Sequence, residues 1–92
     1  MAQVETTTHL HRFFPVLGQE EFLVAGETVA DVIRALDERV PGIAFYLCDE
    51  RGRLRRHVNI FVGDAMVSDR NTLSDPVGHS ERLLIMQALS GG

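Results

Sequence analysis

The sequence has no lysine, no tryptophan, a single cysteine and no long apolar run. Each absence narrows the field. Cys48 alone cannot form an internal disulfide, so no disulfide scaffold holds the chain. No apolar stretch approaches the ~20 residues a membrane-spanning helix needs, and no membrane partner is expected. Met1 to Thr8 is polar and lacks the apolar stretch of a signal peptide. Positive charge is in deficit: 9 basic residues against 13 acidic ones leave a net charge of −4. That is the wrong sign for a general nucleic-acid or membrane-surface binder. All nine basic residues are arginine. This has two readings: codon usage in a GC-rich genome, or a chain that offers no ε-amine of its own to an activated acyl group.

What is present is 92 residues, 45% hydrophobic and 24% charged, the balance of one soluble globular domain, expected in the cytoplasm. A core of this size is thin, with about 60–65% of the unfolded surface buried. The domain is expected to run over residues 1–88, with 1–7 as a frayed arm and 89–92 as a flexible tail.

Thr8 to Phe14 is rich in β-formers and reads as a strand. Pro15, Gly18 and Gln19 make a turn, and Glu21 to Ala25 reads as a second strand, giving an N-terminal hairpin. A helix over about 28–40 follows. Thr28 is a good N-cap, and Asp31 sits three residues on. Val29, Val32, Ile33, Leu36 and Val40 repeat at helical spacing, and Pro41-Gly42 stops the element. Ile43 to Cys48 reads either as a turn of helix or as an extended piece, and Asp49 to Arg53 as a polar loop. Arg55 to Val62 alternates in strand fashion, Gly63-Asp64 turns, and Ala65 to Val67 returns. Ser68 to Ser80 is loop, and Glu81 to Ala88 reads as the last strand. One helix must bury its apolar stripe against one sheet face. Strands separated by it can pair in parallel through a crossover. The expected fold is therefore α+β: a mixed four- to five-stranded sheet wrapped around one main helix, the β-grasp or ubiquitin-like arrangement.

The chain ends at Gly91-Gly92, just after the last strand. Without Cβ atoms these residues make a slender thread able to enter a narrow active site on another protein. The reacting group would be the terminal carboxylate of Gly92. A free carboxylate is a poor electrophile and must be activated, for example by transfer of AMP from ATP. A sulfur nucleophile can then displace AMP and leave a thiocarboxylate. The plain alternative is a glycine-rich, disordered chain end.

Three segments together resemble the ThiS/MoaD family of ubiquitin-like sulfur carriers. Thr28-Val29-Ala30-Asp31-Val32-Ile33 is similar to the family's helix start. Val58-Asn59-Ile60-Phe61-Val62-Gly63-Asp64 is similar to its central strand and turn, and Ala88-Leu89-Ser90-Gly91-Gly92 to its end. The long Asp49–Arg56 loop resembles the MoaD-type and cysteine-biosynthesis carriers more than the thiamin ones. Pro76-Val77-Gly78-His79-Ser80-Glu81 departs from the family's usual Asp-Gly-Asp-Glu-like turn. The resemblance implies that an E1-like enzyme adenylates Gly92 with ATP and magnesium, with no cofactor held permanently by the chain. A sulfurtransferase or sulfide would supply sulfur. A biosynthetic enzyme (molybdopterin, cysteine or thiamin type) would accept it. The protein would be a carrier and co-substrate, possessing no catalytic residue, and Leu89, Ser90 and Gly91 would thread into the partner. Two alternatives stay open: a ubiquitin-like modifier conjugated through Gly92, and a non-covalent β-grasp interaction module.

If Leu83 and Ile85 face the helix, Leu84 and Met86 face outward beside Phe61. Three apolar side chains on a wet sheet face form a patch of the kind that marks a partner site, and the family uses this face. The alternative is that loops cover them. Other signals are weaker. Arg51, Arg53, Arg55 and Arg56 read as a solvated loop, or as a contact for an acidic partner. His9 and His11 on one strand face lack a third metal ligand at a defined spacing, and no metal is expected. His79-Ser80 lacks the surroundings of a hydrolase site. Cys48 reads as a small core residue. Of the adjacent Phe13 and Phe14, one is expected in the core.

Overall fold

A computed structural model describes residues 1–87. Five strands form one sheet: β1 (Ala2–Thr6), β2 (Phe22–Val24), β3 (Val58–Val62), β4 (Ala65–Met66) and β5 (Arg82–Gln87), in the spatial order β2-β1-β5-β3-β4. β1 and β5 are parallel, and the other neighbours are antiparallel. Helix α1 (Val29–Arg39) and the short α2 (Ile43–Leu47) lie between β2 and β3 in the chain. This is the expected β-grasp arrangement.

α1 forms for the reasons its sequence gives. Thr28 is extended and its Oγ1 accepts the Asp31 N–H at 3.2 Å, which satisfies one of the free N–H groups of the first turn. Val29, Val32, Ile33 and Leu36 are buried at a spacing of three and four. They share one core with Val58, Ile60, Leu83 and Ile85 from the inner face of the sheet. Each such side chain contributes about 1.5–3 kcal/mol on burial. The helix ends before Pro41, with Val40 as its C-cap, and Gly42 takes the left-handed conformation (φ 97°) that lets α2 start at once. The Asp37 carboxylate accepts the N–H groups of Gly42 and Ala44 and so fixes the junction.

Two expectations at the N-terminal end are overturned. Residues 2–6 are not a frayed arm. Val4 and Ala2 alternate inward while Gln3 and Glu5 stay outside, and β1 pairs with both β2 and β5. Thr8 to Phe14 is not a strand. It forms a 3-10 turn over Thr8–Arg12, followed by a second over Pro15–Gly18. The buried or core-packed residues here, Leu10, Phe14 and Leu17, recur at intervals of four and three, a helical spacing that overrides β propensity. The N-terminal hairpin exists, but β1 rather than residues 8–14 is its first strand. Of the adjacent phenylalanines, Phe14 packs on the core and Phe13 is exposed.

Candidate functional site

Strand alternation builds the outer sheet face. Leu83 and Ile85 are fully buried under the helix, so Leu84 and Met86 point the other way. The register sets Phe61 opposite Leu84 and Asn59 opposite Met86 on β3. Leu84 and Phe61 are half-buried, and Met86 is 37% exposed. The structure thus brings Phe61, Leu84 and Met86, the residues expected to dock a partner, onto one face, with Met86 the most open of the three. Sequence reasoning missed a fourth. Met66 on β4 pairs with Phe61 and is 54% exposed, and the Asn59 amide donates to its Sδ at 3.5 Å. A two-residue strand carries almost no periodic signal, so only the pairing register reveals it. The rim is polar: Glu5, opposite Leu84, is ion-paired with Arg82 at 3.2 Å.

This face lies beside the end of β5, where Gln87 pairs with Val58. Leu89, Ser90, Gly91 and Gly92 lie outside the described residues. Arg55 and His57, with Phe45 and Tyr46 of α2, line a hollow against Gln87. Phe45 is 72% exposed. The Arg51–Arg56 segment is ordered by its own polar groups. Asp49 Oδ1 accepts the N–H groups of Arg51 and Arg53, and Oδ2 accepts from Arg53 Nε. Burial works against ionisation of Asp49, but these donors outweigh it and hold its carboxyl below the usual range. Arg55 Nε donates to the Phe45 carbonyl at 3.0 Å.

Arg70, which sequence reasoning did not single out, reaches into the same region. Its guanidinium donates to the carbonyls of Arg55 at 2.7 Å and Val58 at 2.9 Å, and to Asn59 Oδ1 at 3.4 Å. Its own carbonyl accepts the Leu54 N–H at 2.8 Å. Arg70 therefore clamps the entry to β3, the strand that pairs with β5.

The loop before β5 has a second polar scaffold. Asp69 accepts from the Ser74 and Thr72 hydroxyls and from the N–H groups of Asn71, Thr72 and Ser74. The Ser74 and Thr72 bonds hold its carboxyl far below the usual range. Asp75 accepts from the N–H groups of Ser68 and Asp69 and from the Ser68 hydroxyl. Its carboxyl is lowered, chiefly by the Ser68 and Asp69 N–H groups. The ordered loop then supplies the carbonyls of Asp75 and Leu73 to the N–H groups of Val29 and Ala30, completing the start of α1. Pro76 bridges Thr28, and the Val77 N–H donates to the Glu27 carbonyl. The atypical turn that follows places Ser80 in the left-handed region (φ 61°), its N–H donating to the Met1 carbonyl.

The remaining candidates separate. His9 and His11 do not share a strand face. They sit in the first 3-10 turn, His11 Nε2 lying 3.0 Å from Thr6 Oγ1 and His9 packing edge-on to Phe13. Among the described residues no group of three His, Cys, Asp or Glu side chains is placed to hold a metal ion. Cys48 is buried, and that burial, with the Asp49 charge, pushes its thiol pKa up. No helix among the described residues is long and apolar enough to cross a membrane.

Comparison with known proteins agrees with this fold. The ThiS family model matches residues 8–92. The chain is 32% identical over 77 residues to the sulfur carrier protein CysO of Mycobacterium tuberculosis, covering 82% of this chain and 83% of that protein. It superposes on a chain of the Amycolatopsis orientalis BexX/CysO complex with a TM-score of 0.83 at 27% identity, covering 100% of both chains. For the crystal structure of Mycobacterium tuberculosis CysO the TM-score is 0.82 at 28% identity, over 97% of this chain and 100% of that one. With the family model spanning nearly the whole sequence, the β-grasp chain belongs to the ThiS family.

Proposed function

We propose that this protein is a sulfur carrier whose working group is the Gly92 carboxylate. One combination carries the reading: a ThiS-family β-grasp domain ending in Gly-Gly, with an open apolar face beside the strand that leads to that end. An E1-like partner, using ATP and magnesium, joins a Gly92 carboxylate oxygen to the α-phosphorus of ATP, and pyrophosphate leaves. Sulfide then attacks the acyl carbon, and AMP leaves with that oxygen. Where a sulfurtransferase persulfide attacks instead, AMP leaves and an acyl disulfide remains; a partner thiol then attacks the sulfurtransferase-side sulfur, releasing the acyl sulfur and forming a disulfide. The product is a thiocarboxylate. The apolar face of Phe61, Leu84 and Met86, widened by Met66, docks the partner, while Leu89, Ser90 and Gly91 thread the reacting end into its active site. The chain is then a co-substrate of its partners rather than a catalyst. Because the sequence relatives are CysO-type carriers, we favour a cysteine-biosynthesis outlet over molybdopterin or thiamin.

Intact-mass spectrometry tests the reading. The chain is incubated with ATP, magnesium, an E1-like enzyme of the same organism and a sulfur source. The expected result is a mass gain equal to one oxygen exchanged for sulfur, localised to Gly92 and absent without ATP. An unchanged end, with an enzyme that is active on another carrier, refutes it. A ladder of covalent conjugates lost on deleting Gly92 supports the modifier alternative instead.

A further inference from the structure

The apolar face accounts for one side of Gln87. The other side is built differently. Five of the nine arginines fall between residues 51 and 70 of a chain whose net charge is −4. Arg55, Arg56, His57 and Arg70 line one open cleft there, together with Asp49 and Arg53, which pair with each other at 3.3 Å.

Two of the charges in this cleft, Arg55 and Arg70, are fixed in place yet not neutralised. Arg70 spends its donors on the carbonyls of Arg55 and Val58 and on the Asn59 amide oxygen, and Arg55 spends its Nε on the Phe45 carbonyl. These acceptors are neutral, so both guanidinium groups keep their full charge while losing freedom of movement. The ion pairs among the described residues are Arg34–Asp31, Arg39–Glu20, Arg53–Asp49 and Arg82–Glu5. Within that set Arg55, Arg56 and Arg70 have no carboxylate partner. Arg55 and Arg70 are pre-positioned as well as unpaired, so a partner's carboxylates meet them with little ordering cost, and the freer Arg56 adds its charge beside them.

The cleft also adjoins the site already described. His57 is common to it, to the hollow lined by Phe45, Tyr46 and Gln87, and to the groove lined by Phe61, Met86 and Gln87. We propose that the cleft is a second docking element, which receives an acidic rim on the protein that activates Gly92. The apolar face would supply affinity, and the arginines the approach and the orientation. The inference rests on the carrier reading and deepens it by naming the chemistry of the partner surface.

The test is the steady-state rate at which the E1-like enzyme of the same organism transfers AMP to the chain, at ~50 mM and ~500 mM NaCl. Arg56→Glu is the probe, since Arg56 is exposed and makes no side-chain bond among the described residues. Arg34→Glu, on the wet side of α1 and 74% exposed, makes the same change in net charge elsewhere. Arg56→Glu is expected to lower kcat/KM about tenfold at low salt with kcat held, shrinking to within about twofold at high salt. Arg34→Glu is expected to change little. Equal losses in the two variants, or no loss in either, overturn the cleft and leave the carrier reading standing. Failure of wild-type transfer overturns both. Low-salt binding of duplex DNA that Arg56→Glu abolishes while transfer is unchanged replaces the protein partner with nucleic acid.

Discussion

Replacing Arg70 with methionine is expected to destabilise the fold by about 1.5–3 kcal/mol. The substitution keeps an apolar stem of similar length and removes the guanidinium. Lost are two charge-assisted bonds, to the carbonyls of Arg55 at 2.7 Å and Val58 at 2.9 Å, and a longer one to Asn59 Oδ1 at 3.4 Å. Bonds to a charged group contribute roughly 1.5–3 kcal/mol each, so the gross loss is about 3–6 kcal/mol. Two effects reduce it. The Arg55 carbonyl is solvent-accessible and regains water, and freeing a long side chain returns up to ~2 kcal/mol of rotamer entropy. In a domain of this length each kcal/mol moves Tm by about 4–8 °C, so a fall on the order of 10 °C is expected, with a matching drop in urea midpoint and an unchanged m-value. Arg70→Lys should fall between the two, because one ammonium cannot reproduce the planar fork. A circular-dichroism melt of Arg70→Met within ~2 °C of wild type would refute the clamp, since by that scale it bounds the loss below about 0.5 kcal/mol.

Thr28→Ala should cost about 1 kcal/mol through loss of the α1 cap, seen as a Tm drop of about 4–8 °C; no change would mean that the loop carbonyls of Asp75 and Leu73 hold the helix start alone. Asp69 and Asp75 have folded pKa values below the ordinary 3.8, so their stabilisation is complete above about pH 5 and is lost as pH falls through the folded values. Asp69→Asn should therefore lower Tm at neutral pH and flatten its decline below about pH 4; an acid limb parallel to wild type would count against this. Met86→Asp should lower the melt modestly, because the side chain is 37% exposed and the rest of it is covered on a central strand, yet lower kcat/KM for transfer to Gly92 by about tenfold or more; unaffected transfer by the folded variant would remove the apolar face from the docking surface.

Much of the fold is legible in the sequence where the signal is local. α1 announces itself through the Thr28 cap, the helical spacing of Val29 to Leu36 and the Pro41 stop. The alternation of Leu83, Leu84, Ile85 and Met86 reads directly as inside and outside. β1 is harder to read. Ala2 and Val4 alternate with Gln3 and Glu5, but five residues of modest hydrophobicity become a strand through pairing with partners distant in the chain, Val4 with Leu83 and Val4 with Phe22. At Thr8 to Phe14, β-forming composition pointed one way and the burial of Leu10, Phe14 and Leu17 the other, and tertiary packing won. Of the candidate site, the shared outer face of Phe61, Leu84 and Met86 follows from strand parity alone. Met66 and Arg70 do not, because each acts through a register or a loop excursion that residue type does not encode.

The parallel pairing of β1 with β5 has a consequence for how the molecule comes into being. β5 occupies the centre of the sheet, between β1 and β3, yet among the described residues it is the last strand in the chain. During synthesis residues 2–6 must wait for residues 82–87 before that edge of β1 finds a neighbour. The sheet therefore closes late, through contacts of high sequence separation, which makes for slower folding than local pairing does. A chain cut short before residue 82 can form only the β1–β2 and β3–β4 pairs, with the seam between them unfilled. A partner that recognises the finished outer face therefore has little to engage until residues 82–87 are in place.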